Sequence, residues 1–368
     1  MPASIAHMII AHKAIQALKG SQVPDLIGFA DLIDDTSQTH HSRPYMNLGS
    51  VGPDLYYYNS ISSSIKDMIL EGFVQAQGVT AWSYHLHSYR PNAFPLSLIE
   101  VIFNDAIRKD GQVLMDDQDA RKLAYIAGHL THIAADQILH PLVNTIAGPY
   151  YRDGDNRRRH RQAEVFQDYY LYEEVYRDRR ARASSRDKAQ YDFFKQSFAS
   201  WVDCIKGLTP KNTADWFRYF LQRGFVQTYG MFPDEDVIED SVDNHLLTLR
   251  TCQRIGPYKE AAKEYESQGE QSPMYRQFIK DVDYVTTYQQ AVQLAAVYLI
   301  ALFEVYALLR QGKDFGGRQR DRFCSIVSSA DLSCPLEQDV LAKALEALNS
   351  KKAMAGKYRT GEWLVGSG

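Results

Sequence analysis

The chain has 368 residues, 45% of them hydrophobic, with a formal net charge of -4 at pH 7. That length admits one large domain or two ordinary ones around a sizeable core, and the mildly acidic balance argues against a general nucleic-acid binder. The four cysteines (Cys204, Cys252, Cys324 and Cys334) are scattered and form no Cys-x-x-Cys pair, so neither a disulfide framework nor a thiolate zinc site is indicated.

The first residues, MPASIAHMIIAHKAI, have no basic segment or small-residue cleavage site, so no secretory signal is expected. A helical apolar pattern runs over 5–19, and helices are predicted at 60–77 and 95–109 after Gly, Pro and Asn punctuation. The polar stretch Asp34–Pro53 is read as the longest loop, of a length that is often functional. A strong helix is predicted from Asp117 to His140, with Asp116 or Asp117 as cap and Pro141 as its stop. Gly148–Arg159 is read as irregular, and Arg161–Arg180 as the next helix. Further helices are expected at 187–206, 211–224, 235–253 and 274–311. The apolar run Ala291–Leu309 is marginal for a bilayer and is interrupted by Gln293 and Glu304, so it reads as a buried core helix. The segment GKDFGGRQR breaks the pattern, a short helix follows near 336–350, and the tail is rich in glycine. Strand patterns are scarce. The expectation is an all-α fold, with a main domain at 1–312 and an extension at 313–368. Cytoplasmic placement is expected, with a non-Sec export route as the alternative.

His132, Asp136 and His140 recur every four residues on a helix that is apolar on most sides, and His160 with Glu164 repeats the interval. A four-residue step keeps side chains on nearly one face, and imidazoles and carboxylates are costly in an apolar interior unless paired. Metal is the simplest partner. The helical rise separates His132 from His140 by about 12 Å, too far for one ion and suited to two or more along the helix, with Asp136 as a bridge. Further ligands must come from elsewhere. His7, His12, His40, His41, His85 and His87 precede residue 90, and Asp54 follows a Gly-Pro and precedes three tyrosines. Nitrogen and oxygen ligands without thiolate suit catalytic zinc, and clustered zinc suits phosphoester hydrolysis.

In this order the residues resemble the zinc-dependent phospholipase C family of bacteria. The resemblance rests on His7 in AHMIIAHKAI, Asp54 in GPDLYYY, His87 in HSYRP, His132-x3-Asp136-x3-His140-Pro141 and His160-x3-Glu164, with a late apolar helix at 281–311 as the closing helix. It implies an all-helical phospholipase C and single-strand nuclease-like fold around a multinuclear zinc site. It also implies that Asp54, His87, His132 and Asp136 bind a first zinc, and that His140, His160 and Glu164 bind a second. Asp136 would bridge to a third shared with His7, giving two or three ions. The family completes the third with an N-terminal tryptophan. This chain has none near its start, and removal of Met1 would expose Pro2. The Asp136–His140 interval is shorter than in the secreted members, which shifts the second zinc relative to the first.

The implied activity is phospholipase C-type hydrolysis of phospholipid at the glycerol–phosphate bond, with Asp54 orienting or deprotonating the attacking water. Peripheral membrane contact is expected and nucleic acid is not. The alternatives are a nuclease or phosphomonoesterase using the same cluster, and a non-catalytic zinc-stabilised scaffold for lipid or protein. In an extended HLH segment His85 and His87 would both approach the site, with His87 favoured by its context. His40 and His41 are read as loop residues, His129 as packing beside the site, and His12 as off the His7 face. Tyr56, Tyr57 and Tyr58 are read as core or as contacts to a cationic head group. Arg157–Arg161 is read as a solvated loop.

Overall fold

The computed structural model describes residues 4–37, 40–58, 80–109, 112–149, 153–202, 215–254, 256–332, 334 and 336. These residues form helices α1 (Ser4–Lys19), α2 (Pro24–Ile33), α3 (Arg43–Ser50), α4 (Gly52–Leu55), α5 (Thr80–Ser88), α6 (Ala93–Asp105) and α7 (Asp117–Ala147). They continue with α8 (Gly154–Arg182), α9 (Phe198–Val202), α10 (Asp215–Tyr229), α11 (Glu235–Arg254), α12 (Pro257–Gln268), α13 (Tyr284–Arg310) and α14 (Gly317–Ile326). The only strands among the described residues are Ile107–Lys109 and Gln112–Leu114, an antiparallel hairpin that pairs Ile107 with Leu114. The fold is all-α.

α7 is the central element. It packs against α13, α3, α1, α8 and α2, and is buried on nearly every side through its middle. Its start is set by a capping box: Asp116 Oδ1 accepts from Asp119 N at 2.9 Å, and Asp119 Oδ2 accepts from Asp116 N at 3.4 Å. The expected stop at Pro141 does not occur, and the helix runs on to Ala147. Proline removes one main-chain donor, the one that would serve the Gln137 carbonyl, and packing along α13 outweighs that single loss.

The Asp34–Pro53 stretch is not one loop. Pro44 sets the first turn of α3, and Tyr45, Met46 and Leu48 give this polar run a buried apolar face. α3 crosses α7 at two glycines. A Cβ on Gly128 would sit 2.0 Å from the Met46 carbonyl oxygen, and one on Gly49 would sit 2.1 Å from that of Tyr125. No side chain fits there, so the backbones approach closely.

Other departures have local causes. Over 187–202 the expected helix is broken into two 3-10 turns and the short α9, because Asp192 accepts from Phe194 N at 3.0 Å and diverts the backbone. The expected helix over 274–311 breaks at Asp283, whose φ of 49° is left-handed; a π-helical turn (Arg276–Lys280) precedes α13. Arg157–Arg161 lies inside α8 rather than on a loop. The 95–109 helix ends at Asp105, where the hairpin begins. The helices expected at 60–77 and near 336–350 lie outside the described residues, position 336 apart.

The stretch Pro273–Arg310 is long and apolar enough to cross a membrane by length and composition, but most of its apolar window is buried against the bundle, as in a core helix. Beyond α13 the chain returns to the core: Phe323, Val327 and Leu332 are buried. Leu332 N donates to the His87 carbonyl at 2.9 Å, and Asn92 Nδ2 donates to that of Val327 at 2.9 Å. Tyr298 donates to Gln137 Oε1 at 2.7 Å and accepts from Ser328 N at 3.2 Å. Residues 327–332 thus strap α5 to α7.

Gly128→Ala forces α3 and α7 apart. It is expected to cost about 3 kcal/mol, the upper end of the usual overpacking range, read as a lowered thermal midpoint. An unchanged midpoint would contradict the close crossing.

Candidate metal centre

The inner half of α7 presents His132, Asp136 and His140 towards α1, α5 and α8. Asp136 is 1% exposed. Its Oδ2 lies 3.0 Å from His132 Nε2 and 3.5 Å from His87 Nε2. Its Oδ1 lies 3.3 Å from His7 Nε2 and 3.5 Å from His140 Nε2. Around this carboxylate the donor atoms form three groups: His7, His132 and Asp136; Asp54, His87 and His132; and His140, His160 and Glu164. All eight residues singled out from the sequence are therefore brought together. Within each group the ligand atoms lie within 4.8 Å of one another. His160 Nε2 is 3.0 Å from Glu164 Oε1, and His140 Nε2 is 3.9 Å from the same oxygen.

The hydrogen bonds show what this arrangement needs. His87 Nδ1 lies 2.7 Å from the Ser83 carbonyl, and His132 Nδ1 lies 3.0 Å from that of Ser50. A carbonyl only accepts, so both Nδ1 atoms carry the hydrogen and both Nε2 atoms present a lone pair. Those two Nε2 atoms are 3.4 Å apart and face carboxylate oxygens. Acceptors converging on acceptors in a buried space require an electrophile between them, and a metal ion bound by imidazole and carboxylate fits. In the metal-free chain a proton serves instead. Burial disfavours charge on His132, but Asp136 and Asp54 outweigh it and raise its pKa to about 9. Burial also opposes ionisation of Asp136 and Asp54, yet the surrounding histidines hold both carboxyls below the usual range. Glu164 is lowered likewise by His160 against its own burial, and burial lowers His140.

The cluster opens on one side. The His140 side chain is 21% exposed and that of Asp54 11%, whereas those of His132 and Asp136 are closed off. His87 links the two open residues: Asp54 Oδ1 is 3.2 Å from its Nε2, and its ring stacks 6.4 Å from that of His140. Asp54 is carried by α4, where Gly52 and Pro53 start the turn.

The expectation that His85 and His87 point the same way is corrected. They lie on α5, and two helical residues differ by about 200° around the axis. His87 faces the cluster; His85 packs 5.2 Å from the Tyr229 ring. His12 lies off the His7 face, against Asn47 and Trp201. His40 pairs with Asp117 at 2.9 Å. His129 is buried one turn before His132, beside Phe94. Tyr56 and Tyr58 are core residues, while Tyr57 lies 5.4 Å from the His87 ring.

Two residues that shape the site were missed. Asp168, fully buried, accepts from Ala6 N at 2.7 Å, Ile5 N at 3.4 Å and Tyr258 Oη at 2.6 Å, and so fixes the start of α1 and with it His7. Burial pushes its carboxyl well above the usual range, against the pull of these donors. The signal was present: Asp168 extends the four-residue interval of His160 and Glu164. His245 lies beneath Tyr58 at 4.8 Å, fully buried, and its ring nitrogens have no hydrogen-bond partner among the described residues.

The fold and donor set define a helical protein built round a cluster able to hold metal through nitrogen and oxygen. The chain belongs to the zinc-dependent phospholipase C family, whose model matches residues 6–218 and so spans the whole cluster. No curated protein and no solved structure shows a significant match.

Burial lowers the His245 pKa from 6.5 to about 4, with Asp54 opposing. Folded, this group binds fewer protons than unfolded, so its stability contribution is present above pH 6.5 and is lost as pH falls towards 4. The loss is roughly 3 kcal/mol. In denaturant melts at pH 7 and pH 4, His245→Gln should gain about that much relative to the parent on acidification. Parallel pH dependence of the two proteins would contradict it.

Proposed function

We propose that the protein is a zinc metallophosphodiesterase that hydrolyses phospholipid at the glycerol–phosphate bond. The observation that carries this reading is the buried Asp136 carboxylate with four imidazole nitrogens converging on it and an open edge at Asp54 and His140. Asp54, His87, His132 and Asp136 would hold one zinc and His140, His160 and Glu164 a second. Asp136 would reach a third with His7, giving two or three ions. Zinc held there supplies Lewis acidity towards phosphoryl oxygens and makes bound water a nucleophile near neutral pH.

The protein's own groups supply orientation. Asp54, ionised at neutral pH and on the open edge, accepts a hydrogen bond from the attacking water and directs its lone pair at phosphorus. A carboxyl held so low keeps a proton poorly, so orientation is its main role and the proton passes on to solvent. The Ser83 and Ser50 carbonyls fix the tautomers of His87 and His132. The partly buried Tyr57, beside His87, is placed to meet the head group at the edge. A phospholipid substrate brings the chain to a membrane surface as a peripheral contact.

Zinc-loaded protein is expected to release diacylglycerol from phosphatidylcholine and to leave single-stranded DNA largely intact. Chelation and Asp136→Ala should each lower turnover by about a hundredfold or more. Undiminished hydrolysis by metal-depleted Asp136→Ala would sink the assignment. Faster turnover of DNA would move it to the nucleases. Bound zinc without turnover of either would leave a scaffold.

A further inference from the structure

α1 points His7 into the metal cluster, and His12 and Lys13 into a separate cavity of about 460 Å³ between α1, α3, α8 and α9. Its walls include Arg43, Asn47, Arg179 and Trp201. Its charges do not cancel. Arg43 is bound by Asp34 through two contacts at 2.6 and 3.0 Å, and Asp34 also meets Lys19 at 2.9 Å. On α8, Glu174 is committed to Arg177 and Glu173 to Arg180. Among the described residues no carboxylate lies within ion-pair distance of Lys13 or Arg179. Arg179 rests only over the Tyr176 ring, at 5.9 Å. Lys13 is partly buried; burial first, then the Arg179 charge, lowers its pKa. Asp34 lines the same cavity but is held by Arg43 and Lys19, which leaves Lys13 and the exposed Arg179 there with no carboxylate partner of their own.

The polar wall is fixed. Asn47 Nδ2 donates to the Trp201 carbonyl at 2.8 Å, which sets the amide orientation. Asn47 Oδ1 must then accept from His12 Nε2, 2.8 Å away. His12 is held neutral, its pKa lowered by burial to about 4. Its Nδ1 is therefore a lone-pair acceptor, and its ring lies 5.5 Å from that of Trp201.

We propose that this cavity binds a phosphorylated polyol, its phosphomonoester dianion on Lys13 and Arg179 and a hydroxyl of its organic part donating to His12 Nδ1. Two cations match a dianion, with guanidinium and ammonium as its usual donors. The volume suits a small organic molecule and exceeds what a bare phosphate fills. Trp201 and Tyr176 line the cavity and supply apolar surface for the carbon skeleton. The inference does not depend on the hydrolytic reading, because none of these residues touches the metal cluster's donor atoms.

The test uses the zinc-loaded full chain with 5-fluorotryptophan, the Trp201 resonance being assigned by Trp201→Phe. Saturating glycerol 3-phosphate should shift that resonance. In calorimetry, Lys13→Gln/Arg179→Gln should weaken binding by about a hundredfold, about tenfold per cation, with zinc content and thermal midpoint unchanged. Lys13→Arg should keep affinity within a few-fold. Inorganic phosphate should bind more weakly. An unmoved Trp201 resonance, equal affinity in the double variant, or phosphate as tight as glycerol 3-phosphate would each overturn the proposal. So would a response to phosphatidate vesicles alone, since that lipid has no free hydroxyl for His12.

Discussion

Asp136 is the constraint on which the rest depends. A carboxylate this deeply buried cannot stand alone, and the fold surrounds it with imidazoles from α1, α5 and two turns of α7. Each of those histidines would be costly in an apolar interior by itself. Together they leave a set of lone pairs aimed at common points. The folding problem and the chemical problem are therefore one: whatever positive charge sits among these atoms offsets the cost of burying them.

That placement is rigid because it is built from backbone as much as from side chains. The contact of Gly49 with Gly128 lets α3 lie against α7, and the Ser50 carbonyl one residue on reaches His132. The turn that starts α4 and the first turns of α5 meet through Ser83, whose hydroxyl donates to the Pro53 carbonyl at 3.0 Å while its own carbonyl takes His87 Nδ1. Asp168 does for α1 what these contacts do for α3 and α5. In each case an element end is tied down within a few residues of a donor atom, which holds ligand geometry better than a free loop could.

Much of this was legible in the sequence. The intervals at His132, Asp136 and His140, and at His160 and Glu164, read directly as helix faces, and the structure gathers all eight named residues. Local signals failed where tertiary packing overrode them. Pro141 is a helix stop by itself, but not when the helix is wedged along α13. The Asp34–Pro53 run is polar by composition, yet Tyr45, Met46 and Leu48 of α3 are buried in the core. The HLH segment carries too few residues to tell period two from period 3.6, so the split between His85 and His87 is set by the helix that α5 forms. Asp168 and His245 were missed for a different reason. Asp168 continues the four-residue interval of His160 and Glu164, whereas His245 belongs to no ligand pattern, and the importance of both lies in partners distant in sequence.

The strap at 327–332 shows why the late part of the chain matters to a centre built from earlier residues. It bonds to the carbonyl of His87 and, through Tyr298 and Ser328, to Gln137, the neighbour of Asp136. α7 lacks a main-chain donor for the Gln137 carbonyl because of Pro141. The helix is therefore weakest one residue past its most highly charged buried group. The Gln137 side chain, held by Tyr298 and the Ser328 carbonyl, ties that turn to α13 and to the strap. Proline inside the helix and a strap across it answer each other: the first loosens the turn between Asp136 and His140, the second fixes where that turn can go.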